Sequence, residues 1–289
     1  MRRACIDIGS NTTRLLVADC DGDRLLEVHQ ERAFTLIRRG LRADGVIPPA
    51  KIGEVVDVVD AQAERARALG AVEIHTVGTA AIRRAPNGAA LAGAIRERCG
   101  LAIEILEEQE EARLAFLGAA KTLDHVPAGT LGVVDVGGGS SELVVGVAPD
   151  QVSWWSSIAL GSGELADSCL LSDPPTAVEL AAARARIAEV LGGDAAPHPA
   201  EAVAVGGAAT SLRRLAGPVL DADAFTRSLA LLARERSGEV ARRLSLDRER
   251  VRLLPAGLLL LQACSELLGT ALQIARGGVR EGVLLEAGA

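Results

Sequence analysis

Val134-Asp-Val-Gly-Gly-Gly-Ser-Ser-Glu-Leu-Val-Val145 is the stretch from which the rest of the chain can be read. Apolar, β-branched runs flank a Gly-Ser segment, so it reads as strand, tight turn and strand. The same device stands near the start of the chain as Ile6-Asp-Ile-Gly-Ser-Asn-Thr-Thr-Arg-Leu-Leu-Val17. Aligning Asp7 with Asp135, an offset of 128 residues, brings Gly9 onto Gly137, Asn11 onto Gly139, Thr12 onto Ser140 and Thr13 onto Ser141. A repeat of domain size means duplicated halves rather than a solenoid.

Outward from the two hairpins, strand and helix signals alternate. In the first half a third strand is expected over residues 24–37, then a helix over 48–69 with Pro48-Pro49 at its start and Gly70 past its end. A strand at 72–77, a helix at 91–99, a strand at 101–106 and a helix at 109–123 follow. After the second hairpin the pattern gives a strand at 153–160, helices near 161–170 and 176–191, and a strand at 202–205. Helices near 208–215, 224–243 and 256–268 and a last strand at 272–275 complete it. Such alternation predicts an α/β architecture. His125-Val-Pro-Ala-Gly129 is the best linker, dividing the chain into domains 1–124 and 125–289.

The 289 residues make about two domains at roughly 150 residues each. With 49% hydrophobic and 24% charged residues the chain folds rather than staying disordered. A net charge of −7 argues against a nucleic-acid partner or an anionic membrane surface. Aromatic residues at 2%, with no Tyr, leave no base-stacking platform. Lys51 and Lys121 are the only lysines, so positive charge is almost all arginine, which suits phosphate recognition. Cys5, Cys20, Cys99, Cys169 and Cys264 are odd in number and far apart, and read as small buried side chains in a reducing cytoplasm. The opening MRRACIDIGS predicts no signal peptide. The apolar run 253–275 is interrupted by Pro255, Gln262, Glu266 and Gln273, and reads as a core helix and strand rather than a membrane span.

A hairpin turn rich in Gly, Ser and Thr presents successive backbone N–H groups, and glycine lets a ligand oxygen approach with no Cβ in the way. Such clusters bind anions, phosphates above all. Gly9, Ser10, Asn11 and Thr12 form one candidate phosphate loop; Gly137, Gly138, Gly139, Ser140 and Ser141 form the other. The Asp on each first strand points into the mouth of its loop, where it repels phosphate unless a cation lies between. Asp135, with Glu142 on the return strand, is therefore expected to hold Mg²⁺. Val203-Ala-Val-Gly-Gly-Ala-Ala-Thr-Ser-Leu212 reads as a strand entering a helix through Gly206-Gly207. That is either a third anion contact at a helix N-terminus or close helix–sheet packing. The acidic run Glu107-Glu-Gln-Glu-Glu111 suits a helix start, which leaves open whether any of its glutamates faces a ligand. Thr79-Ala-Ala-Ile-Arg83-Arg84-Ala-Pro-Asn87 reads as a strand exit, either a surface loop or a clamp on a phosphate oxygen. Two weaker matches are set aside. Gly161-Ser-Gly-Glu-Leu-Ala166 fits a dinucleotide pattern outside its βαβ context, and Gly118-Ala-Ala-Lys-Thr122 lacks the glycines of a P-loop.

Together, DIGSNTTRLLVAD, VGTAAIRRAPN, EILEEQEEARLAF, VVDVGGGSSELVVG, AVGGAATSL and GVREGVL, from Asp7 to Leu284, resemble the exopolyphosphatase–guanosine pentaphosphate phosphohydrolase (Ppx/GppA) family of the actin-like superfamily. The resemblance implies two actin-like, ribonuclease H-like domains facing each other across a cleft, in the short two-domain form. It implies Glu111 as the general base, with Glu110 as the alternative, Arg83 at the active site, and Asp135 and Glu142 at the metal. The implied reaction is Mg²⁺-dependent release of the terminal phosphate of inorganic polyphosphate, with short chains expected because the protein is acidic. Hydrolysis of guanosine pentaphosphate, or a regulatory role binding guanosine tetra- or pentaphosphate, is the alternative. A cytoplasmic homodimer is the remaining expectation.

Overall fold

A computed structural model of the chain describes residues 1–192 and 195–288. Two compact units are present: Met1–Lys121 together with the residues from Gly278 on, and Thr122–Gly277.

In unit 1, β1 (Arg2–Ile8), β2 (Thr13–Asp21) and β3 (Arg24–Ala33) form an antiparallel meander. Helices α1 (Ile37–Gly40) and α2 (Pro49–Ala68) follow, then β4 (Glu73–Gly78), α3 (Ala80–Arg84), α4 (Gly88–Cys99), β5 (Ile103–Ile105) and α5 (Glu108–Lys121). β4 adds parallel to β1 and β5 parallel to β4, so the sheet order is β3-β2-β1-β4-β5. The middles of β1 and β2, Ala4–Ile6 and Leu15–Ala18, are apolar at every position because both sheet faces are covered there. Ala4, Ile6, Ile8, Leu15 and Val17 enter one core with residues of α2 and α4. Cys5, Leu16, Ala18 and Cys20 enter a second with Leu114 and Ala115 of α5.

Unit 2 repeats the plan. β6 (Thr130–Val136), β7 (Ser141–Val147) and β8 (Gln151–Ile158) form the meander. Then come α6 (Ser162–Cys169), α7 (Ala177–Leu191), β9 (Glu201–Val205), α8 (Gly206–Ala216), β10 (Val219–Leu220), α9 (Ala222–Leu232), α10 (Ser237–Leu244), α11 (Arg248–Arg252), α12 (Leu254–Leu268) and β11 (Leu272–Ile274). The order β10-β11-β9-β6-β7-β8 matches unit 1 strand for strand once β10 is left aside. The register repeats as well: Asp7 sits opposite Arg14, and Asp135 opposite Glu142. The expected actin-like α/β fold is thus present in each half. α12 is the centre of the unit 2 core, as its apolar run foretold. Among the described residues no helix is long and apolar enough to cross a membrane. Cys5, Cys20, Cys99 and Cys264 are buried, as expected, and Cys169 is half-buried.

Three expectations need correction. Residues 79–87 are not simply a loop, because Ile82 and Arg83 donate their N–H groups to Thr79 O and start α3. The single helix expected at 224–243 is two, α9 and α10. Asp173 accepts from Ser237 N–H at 2.7 Å and Ser237 Oγ at 2.6 Å, which caps a new helix start from outside the segment. Third, the second domain does not run to 289. The last helix, α13 (Val279–Glu286), packs in unit 1 on α5 and β1. The contact depends on absent side chains: a Cβ at Gly282 would lie 2.1 Å from Leu114 O, and one at Gly118 2.0 Å from Gly278 O. Gly118, the glycine of the rejected P-loop, is thereby explained as a helix–helix contact.

Candidate active site

The two hairpin loops close alike. Gly9 N–H donates to Thr12 O at 3.0 Å and Gly137 N–H to Ser140 O at 3.0 Å. Further loop carbonyls are taken by the chain that leaves the third strand. In unit 1, Leu36 N–H donates to Asn11 O (3.0 Å) and Arg38 N–H to Ser10 O (3.1 Å). In unit 2, Ser162 N–H donates to Gly137 O (2.9 Å), and Gly163 and Glu164 N–H to Gly138 O (3.0 and 3.2 Å). With these carbonyls engaged and the Gly9 and Gly137 N–H groups closing the turns, the N–H groups of Ser10, Asn11, Gly138 and Ser140 are the candidate donors of an anion nest. The rejected dinucleotide motif is this brace: a Cβ at Gly161 would lie 2.4 Å from Gly138 C and 2.5 Å from Gly139 N. Ser141 departs from expectation. It is 0% exposed and its Oγ donates to Leu160 O at 2.8 Å, so it ties the loop down instead of meeting phosphate. Its counterpart Thr13 is equally buried, hydrogen-bonded to Thr35 Oγ1 at 3.1 Å.

Glu111 lies in the first turn of α5 and is 7% exposed. Arg83 Nη1 donates to Glu111 Oε2 at 2.9 Å and also to Leu106 O, so the guanidinium fixes the carboxylate's orientation. Arg83 thus orients Glu111 through Nη1, while its buried Nη2 has no hydrogen-bond partner. Glu110 points elsewhere: Arg113 bonds both its oxygens at 2.8 and 2.6 Å, and reaches Glu286 of α13 at 2.5 Å. That bidentate hydrogen bonding from Arg113 holds Glu110 below the usual carboxylate range. The geometry separates two neighbours that the sequence left equivalent.

In unit 2, Asp135 and Glu142 are direct cross-strand partners on β6 and β7. Directly opposed like charges destabilise a sheet, and a cation relieves that. Ser157 Oγ donates to Glu142 Oε1 at 3.2 Å, and Glu142 is 2% exposed. Gly206, with φ +80°, opens α8 beside them, where a Cβ would lie 2.2 Å from Asp135 Oδ1. Among the described residues no group of three or more His, Cys, Asp or Glu gathers to hold a metal. Mg²⁺ takes one or two carboxylates and completes its octahedron with water and substrate phosphate. The pair Asp135–Glu142 fits that habit. Gly207 lies in the first turn of α8, whose N–H groups face the same end of β9.

Asp7, the unit 1 counterpart of Asp135, is half-buried, and its Oδ1, which is buried, has no hydrogen-bond partner. Burial pushes its pKa up against the pull of Arg14 and Arg280, with Glu281 adding to the rise. The folded state therefore keeps this proton to higher pH than the unfolded chain, and stability is lost as pH rises through the folded pKa. Asp7→Asn lacks that loss. Its Tm advantage over the parent should widen from pH 4 to pH 8 in metal-free buffer; a constant offset would contradict the buried-carboxylate reading.

The Ppx/GppA phosphatase family profile matches residues 16–288. The chain belongs to this family. Among curated Ppx/GppA-type relatives, Exopolyphosphatase 2 of Mycobacterium tuberculosis is 34% identical over 206 residues, covering 66% of this chain and 61% of that protein. The chain thus matches about three-fifths of the length of that relative. Exopolyphosphatase 1 of Mycobacterium bovis is 29% identical over 99% of this chain and 88% of its own. The crystal structure of the Aquifex aeolicus Ppx/GppA family member superposes with a TM-score of 0.82 at 27% identity, covering 99% of this chain and 97% of that one. An exopolyphosphatase structure from Cytophaga hutchinsonii shares the fold, with a TM-score of 0.87 at 20% identity over 100% of this chain and 98% of that one.

Proposed function

We propose that this Ppx/GppA protein is an exopolyphosphatase that removes the terminal phosphate of short inorganic polyphosphate with the help of Mg²⁺. The observation that carries the reading is Glu111: a nearly buried carboxylate, oriented by Arg83, in a unit that also holds the Gly9–Thr12 hairpin loop. In the proposed reaction Glu111 takes a proton from water, whose oxygen attacks the terminal phosphorus. The bond from that phosphorus to the bridging oxygen breaks, giving orthophosphate and a chain one unit shorter. In unit 1 the main-chain N–H groups of Ser10, Asn11 and Thr12 would take non-bridging oxygens; in unit 2 those of Gly138 and Ser140 and the first turn of α8 at Gly206-Gly207 are the corresponding candidate donors. Positioning and charge stabilisation do most of the work in phosphoryl transfer. Asp135 and Glu142 would hold Mg²⁺, which when bound supplies positive charge to phosphoryl oxygens.

The test is phosphate release from tripolyphosphate, long-chain polyphosphate, guanosine pentaphosphate and ATP, each with and without Mg²⁺. Mg²⁺-dependent release is expected from tripolyphosphate above the others. Release from guanosine pentaphosphate alone would replace this reading by its nucleotide alternative. Asp135→Asn should raise the Mg²⁺ concentration for half-maximal activity about ten-fold or more, an effect of the size seen when a metal-site partner is lost. An unchanged Mg²⁺ titration would remove Asp135 from the metal site.

A further inference from the structure

The duplicated loops share their backbone but not their charge. Glu142 of unit 2 has Arg14 as its counterpart in unit 1, at the same register position opposite the β1 or β6 aspartate. The brace on the unit 2 loop is Gly161-Ser162-Gly163-Glu164, whereas the brace on the unit 1 loop is Leu36-Ile37-Arg38-Arg39. Every difference replaces an acidic or neutral residue by a larger one, and three of the residues in unit 1 are arginines. Arg14 Nε donates to Thr12 Oγ1 at 3.2 Å, which keeps its guanidinium at the loop. Arg38 is joined to the loop through its own N–H on Ser10 O. Leu36 takes a left-handed conformation, φ 45° and ψ 42°, costly for a residue with a branched side chain. Fully buried Ile37 pins the turn from the core side. Strain of this kind persists where the surroundings hold it, and it clusters at ligand sites. Here it brings the main chain of Arg38 onto Ser10, with Arg39 the next residue of the brace.

We infer that Arg38 and Arg39, with Arg14, make the Gly9–Thr12 loop an anchor for phosphoryl groups other than the one being cleaved. This rests on the polyphosphate reading. Where Asp135 and Glu142 in unit 2 would offset phosphate charge through a cation, the unit 1 loop would do so directly through guanidinium groups, which grip phosphate oxygens in a planar fork. The ligand class is a linear phosphate chain of three or more units, since orthophosphate has no further group to occupy the anchor. The anchor also reconciles a chain of net charge −7 with a polyanionic substrate, because attraction is local.

The experiment compares the parent, Arg38→Ala/Arg39→Ala and Arg38→Lys/Arg39→Lys in two assays. One is steady-state phosphate release from tripolyphosphate at several salt concentrations. The other is calorimetric titration with tripolyphosphate and with orthophosphate. The double alanine variant should raise KM and Kd for tripolyphosphate about ten-fold or more, the loss of at least one charge-assisted hydrogen bond. Its kcat should change much less, and its KM should respond more weakly to salt. The lysine variant should recover part of the affinity and the salt response, which a purely structural role for the brace would not produce. Orthophosphate binding should be the same in all three. An active parent whose KM, Kd and salt response are untouched in a folded double alanine variant overturns the anchor and leaves the hydrolase reading standing. A parent that binds tripolyphosphate through these arginines but releases no phosphate overturns the hydrolase reading and keeps the anchor. Should the alanine variant fail to fold, Arg38→Gln/Arg39→Gln takes its place, and unchanged Kd there counts as refutation.

Discussion

Glu111→Gln is expected to slow phosphate release at saturating polyphosphate by about 10²–10⁴-fold, the range for loss of a general base. KM and the Mg²⁺ titration should stay close to the parent's. The substitution is informative because of Arg83. Its Nη1 donates to Glu111 Oε2, and the amide oxygen of Gln can accept the same bond, so orientation survives while basicity goes. A folded Glu111→Gln protein with turnover within a few-fold of the parent's would end the assignment. Glu110→Gln is the control in the same turn of α5. Glu110 is committed to Arg113, which also reaches Glu286, so its loss should show in thermal stability rather than in kcat.

Gly282→Ala should cost stability more heavily than a methyl group suggests. The added Cβ would stand 2.1 Å from Leu114 O and 2.8 Å from Leu114 C, main-chain atoms inside α5 that cannot step aside like a side-chain tip. Overpacking of this kind costs about 1–3 kcal/mol, sometimes more. At roughly 2–4 °C per kcal/mol for a chain of this size, the unit 1 transition should fall by about 2–12 °C. Differential scanning calorimetry reads it directly, and an unshifted transition would show that α13 does not sit against α5. Gly118→Ala offers an independent check from the other side, with its Cβ 2.0 Å from Gly278 O.

Much of this was legible in the sequence because it repeats. The 128-residue offset between Asp7 and Asp135 announced two equivalent hairpins, and their registers agree residue for residue. A third repeat at the same offset was available: Val77-Gly-Thr-Ala-Ala81 returns as Val205-Gly-Gly-Ala-Ala209. Since the second opens α8, the first marks the start of α3, which taken alone reads only as a strand exit. Other features had no local signal. Whether Glu110 or Glu111 faces inward depends on where α5 lies relative to Arg83 and α13. Ser141 looks like any loop serine until Leu160 O is found beside it. The break between α9 and α10 is imposed by Asp173, 64 residues from Ser237 in sequence. The last helix has little local signal in GVREGVL because Gly282 stands in its middle. Its apolar positions Val279, Val283 and Leu284 already had helical spacing.

The homing of α13 on unit 1 also bears on how the protein is made. Val279, Val283 and Leu284 cover Cys5 and Leu16, and Arg280 Nη1 bonds Leu15 O at 3.2 Å, yet the ribosome adds these residues only after all of unit 2. Until then one side of the earliest-synthesised sheet has only α5 to cover it. Unit 2 can collapse as soon as its own contiguous stretch has emerged, whereas its older neighbour must wait, so the half that is translated first is the half that matures last.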